Sequence, residues 1–214
     1  MKSCRQFVWS ASCTALTLAL SSVVHAAPPP AAPAPSQAAA FVAAPAPFLR
    51  LPRTATPTRY ALDLTVRPSE DSFSGQIDIA LQVEEAKDVL WLHASRELTL
   101  DQAKLKTAAG ELSPRVELVG KDLVALRFAK PLAVGAGTLT LRYKGRLPIA
   151  EGSGLYRERD GNDLYVYSHF EPIDARRAFP SFDEPSYKVP WQVTMHVPKD
   201  HVALSNAQAE SEHD

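Results

Sequence analysis

The sequence predicts an all-β fold, an antiparallel saddle-like β-sandwich preceded by a signal peptide and an Ala/Pro-rich tether. Three observations predict it. Apolar residues recur with period two in several segments, which puts one face on a core and the other in water. Turn-forming residues separate several of these segments. No long stretch carries the 3.6-residue apolar period of a helix.

The first element is a leader, residues 1–26. Lys2 and Arg5 make a short positive region, and Ala15-Leu16-Thr17-Leu18-Ala19-Leu20 form an apolar heart. Val24-His25-Ala26 presents small residues at the positions a signal peptidase reads, so cleavage is expected after Ala26. The rival is an uncleaved anchor, but the heart falls short of the ~20 apolar residues of a spanning helix. No stable membrane span is expected after cleavage. Cys4 and Cys13 both lie in the leader, so the mature chain would hold no cysteine and need no disulfide or thiolate metal site. Trp9-Ser10-Ala11-Ser12 before Cys13 is a poor lipidation box.

Residues 27–50 are rich in Ala and Pro, with Pro28-Pro29-Pro30, Pro33, Pro35, Pro45 and Pro47. Such a segment builds no core and is expected to be an extended tether, either a spacer or an unselected leader.

The globular part is expected over 51–214. Tyr60, Leu62, Leu64 and Val66 alternate with Ala61, Asp63, Thr65 and Arg67. Ile77, Ile79, Leu81 and Val83 repeat the pattern, as do Leu139, Leu141 and Tyr143. Val89–Leu92, Val116–Leu118, Leu123–Phe128, Tyr165–Tyr167 and Trp191–Val197 are further strand candidates. Turns are expected at Pro68–Ser72, Ala109-Gly110 and Gly135-Ala136-Gly137.

The formal charge of −1 hides an asymmetry. All 24 acidic residues lie from Asp63 onward, against 18 of the 23 basic ones, a balance of 18 − 24 = −6. That sign gives no reason to expect nucleic acid as a partner.

Between Tyr167 and Lys188 the alternation breaks, and Glu171, Asp174, Arg176, Arg177, Asp183 and Glu184 crowd among Phe170, Phe179 and Phe182. Charges placed beside so much apolar surface must pair or reach water. Pro180 and Pro185 restrict the backbone on either side of Phe182-Asp183-Glu184. The residues alone describe a rigid charged loop at the rim of a β-domain, either a binding site or a set of internal Arg–carboxylate staples.

The run Phe170-Glu171-Pro172-Ile173-Asp174-Ala175-Arg176-Arg177-Ala178-Phe179-Pro180-Ser181-Phe182-Asp183-Glu184-Pro185 resembles the signature of the aminopeptidase N-like gluzincin family. Weaker likenesses flank it at Leu51-Pro52, Pro57–Tyr60, Gly154-Leu155-Tyr156 and Ala203-Leu204-Ser205-Asn206, the last resembling a terminal strand. The resemblance implies the amino-terminal β-domain of a zinc aminopeptidase, and the leader over residues 1–26 adds the expectation that it is exported, periplasmic or secreted. It implies that Glu171 binds the α-ammonium of a peptide. A carboxylate–ammonium hydrogen bond is about twice as strong as a neutral one. An internal peptide, with no ammonium, would leave that carboxylate unpaired at a cost of about 1–3 kcal/mol. The competing role for Glu171 is a staple to Arg176 or Arg177. His169 stands where the family often has Gln lining the pocket for the first side chain; it can donate a hydrogen bond and titrate near neutral pH. Ser181 replaces the usual Cys and is expected to pack. Asp174, Arg176, Asp183 and Glu184 are expected to hold the loop.

Zinc hydrolysis in that family uses His-Glu-x-x-His on a helix, with the intervening Glu activating water. Neither that motif nor Gly-x-Met-Glu-Asn occurs here. The resemblance therefore implies a chain truncated before its catalytic domain. It is expected to bind no zinc and hydrolyse nothing alone, with peptide amino termini and the missing catalytic domain as partners. The alternative is a stand-alone β-sandwich module that binds a peptide or a protein.

Overall fold

The computed structural model describes residues 4–11 and 45–213. The expected apolar heart, the cleavage site after Ala26, Cys13 and the tether as far as residue 44 lie outside the described residues.

The described chain is all-β apart from one short 3-10 helix, Asp174–Arg177. In chain order the strands are β1 (Cys4–Ala11), β2 (Ala55–Thr65), β3 (Ser72–Val83), β4 (Val89–His93) and β5 (Thr99–Thr107). There follow β6 (Gly110–Leu112), β7 (Arg115–Val119), β8 (Leu123–Arg127) and β9 (Gly135–Arg146). The last four are β10 (Gly154–Asp160), β11 (Asp163–His169), β12 (Trp191–Pro198) and β13 (Ala209–His213).

An eight-stranded sheet runs β13-β1-β12-β2-β3-β9-β5-β6, a three-stranded sheet runs β4-β8-β7, and β10 and β11 form a separate hairpin. All pairings are antiparallel except β12 with β2, which run parallel. The wholly antiparallel expectation is corrected there. A chain returning from the long loop of 170–190 need not reverse direction, as a hairpin must.

The alternating residues meet across the strands. Tyr60 faces Ile79, Leu62 faces Ile77, and Ile77 and Ile79 face Leu141 and Leu139. All six are buried, and they join Leu90, Leu92, Val124 and Leu126 of the smaller sheet in one hydrophobic core. Because the side-chain period is two, this register turns the large apolar residues of the three central strands inward.

Two local expectations differ from the structure. Gly135-Ala136-Gly137 begins β9 instead of forming a turn. A Cβ on Gly137 would lie 3.1 Å from the Lys106 carbonyl oxygen, so glycine serves close strand approach there. Ala203-Leu204-Ser205-Asn206 is irregular, and the strand near the end is Ala209–His213.

All five residues of β4 are buried although it is the edge strand of its sheet. The 170–190 loop covers that edge: the His93 N–H donates to the Ser181 carbonyl at 2.8 Å, and the Ser181 N–H donates back at 2.9 Å. The bridge caps the edge at His93, and a covered edge resists unwanted pairing. The functional candidate is thus also part of the fold.

Candidate functional site

His169 closes β11, paired with Gly154 of β10. The next residue, Phe170, is an anchor: its ring packs edge-on against Phe179 at 5.5 Å, and Phe179 lies 5.2 Å from Trp191. The Phe170 carbonyl accepts from the Asp174 N–H at 2.9 Å, which turns the chain into the 3-10 helix. Glu171 lies in this turn, exposed, with a cis bond to Pro172.

Four of the other charges of the loop, Arg176, Arg177, Asp183 and Glu184, are paired, while the half-buried Asp174 carboxylate has no partner among the described residues. Arg176 Nε donates to Asp183 Oδ2 at 2.8 Å, and both side chains are mostly covered. Arg177 Nη2 lies 3.0 Å from Glu97 Oε2, and the same guanidinium also pairs with Glu151 and Ser153. Glu184 accepts from the Leu51 N–H at 2.8 Å and from Arg50 Nη1 at 3.0 Å, with its side chain 8% exposed. This pairing is what burial among Phe rings demands.

The staple between Glu171 and Arg176 or Arg177 is not formed. Among the described residues the Glu171 carboxylate has no hydrogen bond or ion pair, and both arginines are engaged elsewhere. His169, also exposed, is held through Nδ1 at 3.0 Å from the Gly152 carbonyl oxygen. A carbonyl can only accept, so Nδ1 carries the proton in this contact.

Below the loop, the Phe182 N–H donates to Tyr60 Oη at 3.1 Å, deep in the core. Tyr60 stacks on Trp191 at 4.1 Å. Burial pushes the Tyr60 phenol far above its ordinary range, so it stays neutral. His93 is buried, and burial first, then the Arg176 guanidinium, holds its imidazole below the usual histidine range. Ser181, 3% exposed, fills the narrow space where its backbone pairs with His93.

Tyr60, Arg50, Glu97 and Glu151 are the residues sequence reasoning missed. Each reaches the loop from far along the chain or from an unremarkable turn, and no local pattern announces such pairs. Gly154 is a partial signal. Its φ is +68°, and a Cβ there would come 2.9 Å from Arg177 Cβ, so the Gly-Leu-Tyr turn and the double arginine are packed against each other.

Among the described residues, no three His, Cys, Asp or Glu side chains come together in a way that could hold a metal ion. These residues give a zinc ion no ligand set.

Residues 56–214 match the family model described as the Peptidase M1 N-terminal domain. The chain is 36% identical over 165 residues to Aminopeptidase M1-D of Oryza sativa subsp. japonica, covering 73% of this chain and 18% of that protein. It is 39% identical over 167 residues to Aminopeptidase M1-A of the same plant, covering 73% and 19%. It is 29% identical over 168 residues to Aminopeptidase A of Gloydius brevicauda, covering 75% and 18%. It thus spans under a fifth of the length of these relatives. The M1 aminopeptidases are in general zinc-dependent. A match over most of the described globular part, with the signature loop inside it, means that the chain belongs to the Peptidase M1 N-terminal domain family.

Proposed function

We propose that this chain is the substrate-amine-binding front of an exported zinc aminopeptidase, and that Glu171 is the carboxylate that receives the peptide's α-ammonium. The observation that carries this is the contrast within one loop. Arg176, Arg177, Asp183 and Glu184 are tied down, while the Glu171 carboxylate is exposed and, among the described residues, unpaired. A carboxylate with open lone pairs, carried on a braced backbone, can accept charge-assisted hydrogen bonds from an ammonium. The braced loop supplies the positioning, since Phe170 and the Asp174 N–H pin the backbone on both sides of Glu171.

His169 sits two residues away, with Nε2 as its second ring nitrogen, and is proposed to contact the first side chain of the peptide. A zinc ion bound elsewhere in the full-length protein would polarise the scissile carbonyl and lower the pKa of bound water. The part played by this chain is to select a free amino terminus and hold it in register with that centre. Hydrolysis of aminoacyl-arylamides by the full-length protein, abolished when the substrate α-amine is acetylated, is the expected result. Equal turnover of free and acetylated substrates would refute the amine site.

Export is proposed on the basic, apolar and small-residue order of residues 1–26. Amino-terminal sequencing of fractionated protein should find mature chain beginning near Ala27 in the periplasm or medium. Cytoplasmic protein still beginning at Met1 would refute it.

A further inference from the structure

Arg157 lies in mid-strand on β10, on the same side as the buried Leu155, and is 8% exposed. Its guanidinium has five donors and, among the described residues, one hydrogen bond: Nη1 donates to the Pro68 carbonyl at 3.3 Å. Nε is buried and has no partner among the described residues. No carboxylate among them pairs with this charge. A buried charge is costly unless it is paired, so an arginine held in this way calls for a reason.

The residue lines a cavity of about 450 Å³ between the β2–β3 turn, the end of β9 and the loop that leads to β10. Arg146 lines it too, exposed, and its side chain has no partner among the described residues. Two carboxylates share the lining. Glu151 is committed to Arg177. Asp71 is exposed, and no ion pair joins it to either arginine. The open charges of the cavity are therefore two positive and one negative. Leu147, Pro148 and Ile149 give it an apolar wall. That wall is fixed to the strand beside it: the Arg157 N–H donates to the Pro148 carbonyl at 2.7 Å, and the Ala150 N–H donates to the Arg157 carbonyl at 2.9 Å.

We infer that this cavity binds the carboxylate of a small organic acid, with Arg157 as its buried anchor and Arg146 as its second cation. A guanidinium presents paired donors that match the two oxygens of a carboxylate. A single negative charge suits a cavity with one positive charge in excess, whereas a phosphate dianion would also face Asp71. The apolar wall takes the body of the acid. The site bears on the candidate amine site through the loop it shares with it. Glu151 and Ser153 hold Arg177, and the Gly152 carbonyl holds His169. An occupant packed on that loop therefore alters the setting of His169. The carboxylate site itself does not rest on the function proposed above.

The test is a titration of the purified 1–214 chain, followed by NMR, with N-acetyl-alanine and its uncharged counterpart N-acetyl-alaninamide. Neither carries an ammonium, so Glu171 takes no part, and Glu171→Gln should bind the acid as the wild type does. The acid should give saturable shifts at Leu147, Ile149, Arg157 and His169, and the amide none. Inorganic phosphate at about pH 8 should bind at least about 3-fold more weakly than the acid. Arg157→Met removes the charge and keeps the bulk. It should weaken the acid at least about 10-fold and leave Tm unchanged or raised, since an unpaired buried charge has gone. Arg146→Gln, at an exposed residue, should weaken it by about 3- to 10-fold with Tm unchanged. Equal shifts with acid and amide, tighter binding of phosphate, or no saturation by about 50 mM would overturn the carboxylate site. Wild-type affinity in Arg157→Met would do the same, and so would wild-type affinity in Arg146→Gln, which decides the matter alone if Arg157→Met does not fold. Saturable binding that leaves His169 unmoved would overturn the link through the loop.

Discussion

Changing Tyr60→Phe removes one oxygen from beneath the candidate site and little else. The ring stacks on Trp191 at 4.1 Å with planes 10° apart, and phenylalanine keeps that stack. What is lost is the acceptor for the Phe182 N–H, at 3.1 Å in a buried position. The neighbouring Ser181 is already paired with His93 through both its N–H and its carbonyl, which holds the backbone here in place. A buried donor left unsatisfied costs about 1–3 kcal/mol. For a domain of this size each kcal/mol moves Tm by about 2–4 °C. The expected fall in Tm is therefore about 2–12 °C. Thermal unfolding followed by circular dichroism, with urea unfolding as a second probe, measures it. An unchanged Tm and unchanged urea midpoint would refute the claim that Tyr60 braces the loop from below.

Two further perturbations probe the same bracing. Gly154→Ala forces a side chain onto φ +68° and brings its Cβ within 2.9 Å of Arg177 Cβ; a loss of about 1–3 kcal/mol is expected in urea unfolding, and a neutral result would mean that Arg177 yields freely. Burial and Arg176 lower the folded-state pKa of His93, so the unfolded chain binds the proton first as pH falls, and stability should drop from near pH 6.5 downward toward that lowered folded value. His93→Gln should flatten this part of the Tm–pH curve, and an identical slope in the variant would assign the acid sensitivity to other groups.

Much of the fold was legible because burial on one face imposes an alternation that survives in the residues themselves. β2, β3 and β9 declare themselves in this way, and their apolar residues meet in register. β5 escaped detection because its register shifts between Leu100 and Gln102, which breaks the period in mid-strand. β10 and β13 carry little apolar patterning, since the first lies in a two-stranded hairpin and the second is mostly exposed. The Cys4–Ala11 strand was masked by its composition, which reads as a targeting segment before it reads as a strand.

The site was legible in part for a related reason. A loop that packs charges among Phe rings announces that it is built, but not which charges are structural. Arg177 finds Glu97 and Glu151, and Glu184 finds Arg50, only through contacts that the fold creates. Those long-range pairs are what separate Glu171 from its neighbours. The same contacts explain why a family signature can be a brace over most of its length and still present an exposed carboxylate at Glu171.

The most direct measurement of the central claim is Glu171→Gln in the full-length protein, with kinetics and unfolding recorded on the same preparation. The amide keeps the shape of the side chain and removes its charge. A charged hydrogen bond is worth about 1.5–3 kcal/mol, so kcat/KM should fall by about 10- to 150-fold. Part of the loss should appear in kcat, because the contact also positions the scissile bond. Tm should stay unchanged, since the Glu171 carboxylate has no partner among the described residues. A lowered Tm with wild-type kcat/KM and undiminished preference for free over acetylated amino termini would contradict the amine-binding role.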